Sequence, residues 1–75
     1  MENEDKKELL LKFGKNLRKL RESKDFTQAQ LANELNVEIS QISRIERGVI
    51  NTSVTTVYSI ACVLKVNISD LFEFE

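Results

Sequence analysis

Proline is absent from this 75-residue sequence and glycine occurs only twice, at Gly14 and Gly48, so little in it interrupts helices. Histidine is absent as well, and cysteine occurs once, at Cys62. A structural zinc site needs about four Cys or His ligands, so no metal site and no cofactor are expected. A lone cysteine cannot close a disulfide within the chain, and Cys62 reads as a small apolar residue on a helix. Acid–base chemistry without histidine would need paired carboxylates or an activated lysine. The acidic residues instead scatter over helix ends and polar faces, so no catalytic residue is assigned and an enzyme is not expected. Long apolar runs are missing too. No stretch approaches the ~20 residues of a membrane span, and no charged-then-apolar leader opens the sequence, so a cytoplasmic protein without a membrane partner is expected.

What is present fits one small globular domain: 41% hydrophobic and 31% charged residues. A core this small makes docking with a second copy a useful source of stability. The net charge of −1 speaks against a nucleic-acid partner until its distribution is followed. Residues 9–24 carry Lys12, Lys15, Arg18, Lys19, Arg21 and Lys24 against Glu22 alone, a local net of +5. Residues 1–8, 25–48 and 49–75 each come to −2. The first helix is therefore basic and the rest mildly acidic, which alone describes no more than a solvated helix face.

The apolar spacing predicts an all-α chain of five helices, with residues 1–8 as a flexible tail and 9–75 as the domain. Helix 1 is expected from about Lys6 to Ser23, with Phe13, Leu17 and Leu20 at i, i+4 and i+7 and Leu9 or Leu10 one turn earlier. Gly14 costs about 1 kcal/mol there relative to Ala, tolerable where another backbone packs close. Thr27-x-x-Gln30 is a capping box opening helix 2, whose buried face is Leu31, Ala32 and Leu35. Asn36 stands where a left-handed residue would turn the chain, Val37 fills the corner, and helix 3 follows from Ile39 to Arg47, closed by Gly48. Ser53 caps helix 4, where the helical spacing of Val54, Val57, Ile60, Ala61 and Leu64 overrides a strand-like composition. Asn67-x-x-Asp70 starts a short fifth helix carrying Ile68, Leu71 and Phe72.

Two short helices joined across Asn36–Glu38 make a tight right-angled corner. In the second, Ile42 and Ile45 face inward while Ile39, Ser40, Ser43, Arg44 and Arg47 gather on the opposite side. Small polar groups and a long donor on one face suit entry into a major groove about 12 Å wide. Arg44 would donate two bonds to guanine, Ser40 would bond base edges, and Ile39 would press on a thymine methyl. The alternative places Ile39 in the core and leaves ordinary polar surface around it. Glu46 lies four residues after Ile42, turned toward the interior, and a buried carboxylate without a partner costs several kcal/mol. Arg21 is the candidate for a structural ion pair that would lock helix 3 against helix 1.

Thr27-Gln28-Ala29-Gln30-Leu31-Ala32, then Val37, then Ile42-Ser43-Arg44-Ile45-Glu46-Arg47-Gly48, closely resembles the phage repressor and Cro-like (XRE) helix-turn-helix family. The resemblance runs from about Phe13 to Phe72, through Gly14, Leu17 and Arg21 on one side and Ile60-Ala61, Leu64, Val66 and Leu71-Phe72 on the other. It implies a compact, lambda-repressor-like five-helix DNA-binding domain with residues 39–47 as the recognition helix. It implies base contacts from Ile39, Ser40, Ser43 and Arg44, and backbone contacts from Thr27, Gln28, Arg47 and Asn51. The Arg21–Glu46 pairing also matches the family. Asn36 stands in place of the usual Gly, Glu38 in place of a frequent Ser or Thr cap, Thr52 in place of a frequent Pro, and Ile39 in place of a commonly polar reader.

The resemblance thus implies a sequence-specific regulator of transcription, a repressor or controller binding double-stranded DNA as a homodimer. The expected dimer surface is helix 4 with the C-terminal segment, where Ile50, Tyr58, Phe72 and Phe74 offer apolar area beside Val49 and Val63. The alternative is a monomer with Phe72 in the core and Phe74 frayed. No small-molecule ligand is expected, there being no room for a sensor domain. A different reading is an antitoxin-type module that sequesters a partner protein; the few residues outside the domain speak against it.

Overall fold

The computed structural model describes residues 3–74, and its chain order is α1 (Asn3–Ser23), α2 (Gln28–Leu35), α3 (Ile39–Glu46), α4 (Val54–Leu64) and a 3₁₀ helix (Ile68–Phe72). No strand occurs among the described residues, so the fold is all-helical. The segment expected as a tail, residues 1–8, enters α1 from Asn3 onward, while residues 1 and 2 lie outside the described part. Glu4 and Asp5 occupy the first turn of α1, where the positive end of the helix dipole favours carboxylates, so this acidic stretch serves as a helix start.

Each boundary follows from local chemistry. Thr27 Oγ1 accepts the Gln30 N–H at 3.0 Å while Gln30 Oε1 accepts the Thr27 N–H at 2.8 Å, closing the box that opens α2. Asn36 ends α2 in the left-handed region at φ 57°, and the Val37 N–H bonds the Ala32 carbonyl at 3.0 Å, which turns the chain into α3. Ser53 Oγ accepts the Thr56 N–H at 3.1 Å and starts α4. Lys65 closes α4 at φ 57°, a role for which its side chain gives no sequence signal. The fifth helix is 3₁₀, a common form for a run this short.

The core is built from all five helices. Leu17, Leu31, Ile42, Ile45, Ile60, Leu64 and Leu71 are essentially inaccessible to solvent, and Phe13, Ala32, Val57 and Ala61 complete the cluster. Val54, expected in the buried face of α4, is 79% exposed: it is the first residue of the helix and its stripe reaches the core only from Val57 on. Ile68 and Phe72 are likewise exposed on the 3₁₀ helix, and only Leu71 enters the core. The Asn16 amide joins that helix to α1 by donating to the carbonyls of Asp70 (2.9 Å) and Leu71 (2.8 Å).

Both glycines lie where α1 meets the end of α3. A Cβ on Gly14 would lie 2.5 Å from the Ile45 carbonyl oxygen and would overlap the Glu46 carbonyl as well. Gly48 has φ 72° and faces the α1 backbone, with the Leu11 N and Cα 2.8 Å from where a Cβ would be. The two backbones touch because neither residue has a side chain. Gly14→Ala should therefore lower stability by about 1–3 kcal/mol through overpacking, against the gain of about 1 kcal/mol that helix propensity alone would give. Thermal unfolding checks the sign, and a raised Tm would contradict the close approach.

Candidate nucleic-acid interface

The corner between α2 and α3 leaves α3 with two unlike faces. Ile42 and Ile45 are buried in the core, at 0% and 2% exposure. Ser40 and Arg44 are exposed on the opposite side, Ser43 is half-buried beside them, and Arg47 is exposed as the C-cap. Ile39 is 49% exposed, so it stands on the outer face and not in the core. Glu38 precedes the helix in an extended conformation and its side chain makes no capping bond, which leaves its charge at the mouth of this face.

The rear of α3 is held by charge. Arg21 Nε donates to Glu46 Oε2 at 2.6 Å and Arg21 Nη2 to Glu46 Oε1 at 3.1 Å, a two-pronged pair whose residues are 6% and 7% exposed. Arg21 Nη1 donates to the Phe26 carbonyl at 2.7 Å, reaching the turn before α2. Gln28 Nε2 adds a further donor to Glu46 Oε1 at 2.9 Å. One carboxylate thus gathers α1, the first residue of α2 and the last residue of α3. The hydrogen bonding of Arg21 to Glu46, and then the charge of that carboxylate, hold the Arg21 guanidinium above the usual arginine range against the opposing effect of burial. The pair therefore stays intact at neutral pH; a cation whose pKa is raised in the fold would lose that contribution only far into alkali.

Of the remaining residues expected at the backbone of DNA, Thr27 and Gln28 share a hollow with Ile39 beside this face, while Asn51 lies beside Leu9, Val54 and Phe72. Thr27 is exposed, with its hydroxyl engaged in the capping box. Gln28 is half-buried; one N–H serves Glu46, and its amide nitrogen carries a second. Asn51 is exposed, and its Oδ1 accepts the Thr52 N–H at 3.0 Å. The Gln28–Glu46 bond was not visible in the sequence, where glutamine at the start of a helix reads as a surface donor.

Of the residues expected at a dimer surface, Tyr58 and Phe72 are exposed while Ile50 and Phe74 are half-buried against the chain's own core. Phe72 stacks in a tilted arrangement on Phe13, ring centroids 5.1 Å apart. It also lines an apolar hollow of about 230 Å³ with Leu9, Leu10, Phe13, Val54, Val57 and Ile68. Ile50 and Phe74 do not line it. Leu9, Val54 and Ile68 are exposed at its rim and were not singled out in the sequence as docking residues. No helix among the described residues is long and apolar enough to cross a membrane.

Residues 17–71 match the model of the helix-turn-helix family. The structure is similar to that of the restriction-modification controller protein C.AhdI from Aeromonas hydrophila, with a TM-score of 0.81 and 35% identity over 84% of this chain and 96% of that one. No curated protein sequence matches the chain significantly. The chain belongs to the helix-turn-helix family of phage-repressor (XRE) type. It is a DNA-binding regulator of transcription, not an enzyme.

Glu46→Ala should destabilise the fold by about 3 kcal/mol, because it strands a buried guanidinium. For a domain of this size that is a Tm loss on the order of 12–24 °C. An unchanged melting temperature would remove the pair from any structural role.

Proposed function

We propose that the protein binds a double-stranded operator as a homodimer, reading bases with the exposed face of α3 and repressing or controlling transcription by occupying the site. The single observation that carries this reading is the asymmetry of α3: Ile42, Ile45 and Glu46 are buried and fixed, while Ser40 and Arg44 stand free on the outside. Arg44 donates to the O6 and N7 of a guanine, Ser40 and Ser43 bond neighbouring base edges, and Ile39 packs on a thymine methyl. The second N–H of Gln28 meets a phosphate at the start of α2, where the helix dipole already favours an anion. Thr27, Arg47 and Asn51 position the backbone around it. Glu38 disfavours sites that bring a phosphate close to it, or accepts from a cytosine amino group.

One such domain covers a small stretch of DNA, which favours two copies on two half-sites. The apolar hollow with Val54, Ile68 and Phe72 around it, together with the exposed Tyr58, is the surface we assign to the second copy. The likeness to C.AhdI supports a controller of a restriction–modification system; we place it in the cytoplasm and assign it no small-molecule ligand.

Selection from random duplexes with the purified protein should return an inverted repeat with half-site centres about 34–36 Å apart, one turn of DNA. Arg44→Ala should then cost about 1–3 kcal/mol on the selected site and relax one base position. A single unrepeated half-site would refute the dimer. Retained specificity in Arg44→Ala would take Arg44 off the reading face.

A further inference from the structure

Six of the eleven Lys and Arg residues lie in residues 9–24, all but Lys24 on α1, and the base-reading face uses none of them. Arg21 is buried on Glu46. Lys12 pairs with Glu8 and Arg18 with Glu22, both at 3.3 Å, while Lys15 makes no ion pair among the described residues. The residues of the corner itself, 25–48, have only Arg44 and Arg47 against Asp25, Glu34, Glu38 and Glu46, a net of −2. A surface with that balance meets a polyanion unfavourably unless a neighbouring element supplies positive charge.

The geometry places α1 to do so. It crosses the end of α3 at Gly14, so the residue after it emerges beside the C-terminus of α3. Lys15 accordingly shares a hollow with Leu11, Glu46 and Arg47. Two turns along, Glu22 borders the hollow formed by Thr27, Gln28 and Ile39. Arg18 sits between them, three residues after Lys15 and four before Glu22, and all three line one open depression between α1 and the C-terminal Glu73 and Phe74. This edge of α1 therefore runs from the Arg47 end of the α3 face to the Gln28 end.

We propose that Lys15 and Arg18 form a second contact with the phosphate backbone of the DNA, alongside the strand that Gln28 and Arg47 approach. This rests on α3 being the reading helix. The Arg18–Glu22 pair is open to solvent on both sides, with side chains 65% and 54% exposed, so water and salt weaken it and Arg18 can exchange the carboxylate for a phosphate. A guanidinium matches phosphate oxygens with two parallel N–H donors, and Lys15 adds a point charge. The contact carries no sequence information; it raises affinity for any duplex that α3 has entered. It reconciles a chain of net charge −1 with a nucleic-acid partner.

The test is the salt dependence of binding by the full chain to the selected duplex and to a scrambled one. Each phosphate contact contributes about 0.9 to the slope of log K against log salt. Lys15→Gln should lower the slope by about 0.9, and Lys15→Gln with Arg18→Gln by about 1.8, equally on both duplexes. Lys65→Gln, which changes the net charge by as much as Lys15→Gln but at the end of α4, should leave the slope as it was. A double variant with the slope of Lys65→Gln and an intact preference for the selected duplex would overturn the α1 contact alone. A wild-type protein that does not distinguish the two duplexes would overturn reading by α3, and the α1 contact with it.

Discussion

The buried carboxylate of Glu46 is the constraint on which the rest of the molecule depends. Removing a charge from water costs several kcal/mol unless partners replace the lost solvation, and here three hydrogen bonds from Arg21 and Gln28 do so. Those donors come from different helices, so satisfying one group fixes the relative positions of α1, α2 and α3. Gly14 and Gly48 let the backbones of α1 and the end of α3 come close enough for the arginine to reach. Ile42 and Ile45 anchor the same helix into the core from the adjacent face. A helix held this firmly loses little further freedom when it meets DNA, and side chains presented from a rigid element are better positioned than those on loops.

The same arrangement divides the charge of the molecule. Arg21 is consumed by the brace, while the other cations of α1 are left on its solvent side. The acidic residues of the corner would repel phosphates on their own, yet the basic edge of α1 runs beside them. On the proposed reading, the protein has low attraction for nucleic acid at large and a local positive strip where a bound duplex would pass. Such a distribution limits non-specific binding, which is driven by the total of phosphate contacts, without removing the local ones.

Much of this was legible in the sequence because the signals were local. Thr27 with Gln30, Asn36 at the turn, and Ser53 before Val54 state where helices begin and end. The buried position of Glu46 follows from its place four residues after Ile42, and a buried acid demands a base. What could not be read was set by distance in the chain. Asn16 bonds the backbone of Asp70 and Leu71 more than fifty residues away, and nothing near Asn16 announces it. Gln28 was legible as a donor at a helix start but not as a ligand of Glu46, since only the folded corner brings them together. Val54 fits the apolar period of α4 yet lies beyond the reach of the core, because a period fixes the face and not how far the partner extends. The start of α1 was placed too late because an acidic stretch with little apolar content resembles a tail as much as a first turn.

The central claim is that a helix fixed from behind by this network meets DNA with its outer face. Titrating isotopically labelled protein with its selected duplex, followed by amide and arginine side-chain NMR shifts, addresses it directly. The account predicts the largest changes at Ser40, Ser43 and the Arg44 guanidinium, with Ile42 and Ile45 moving little. Shifts concentrated on α4 and the 3₁₀ helix, with the α3 face silent, would contradict it.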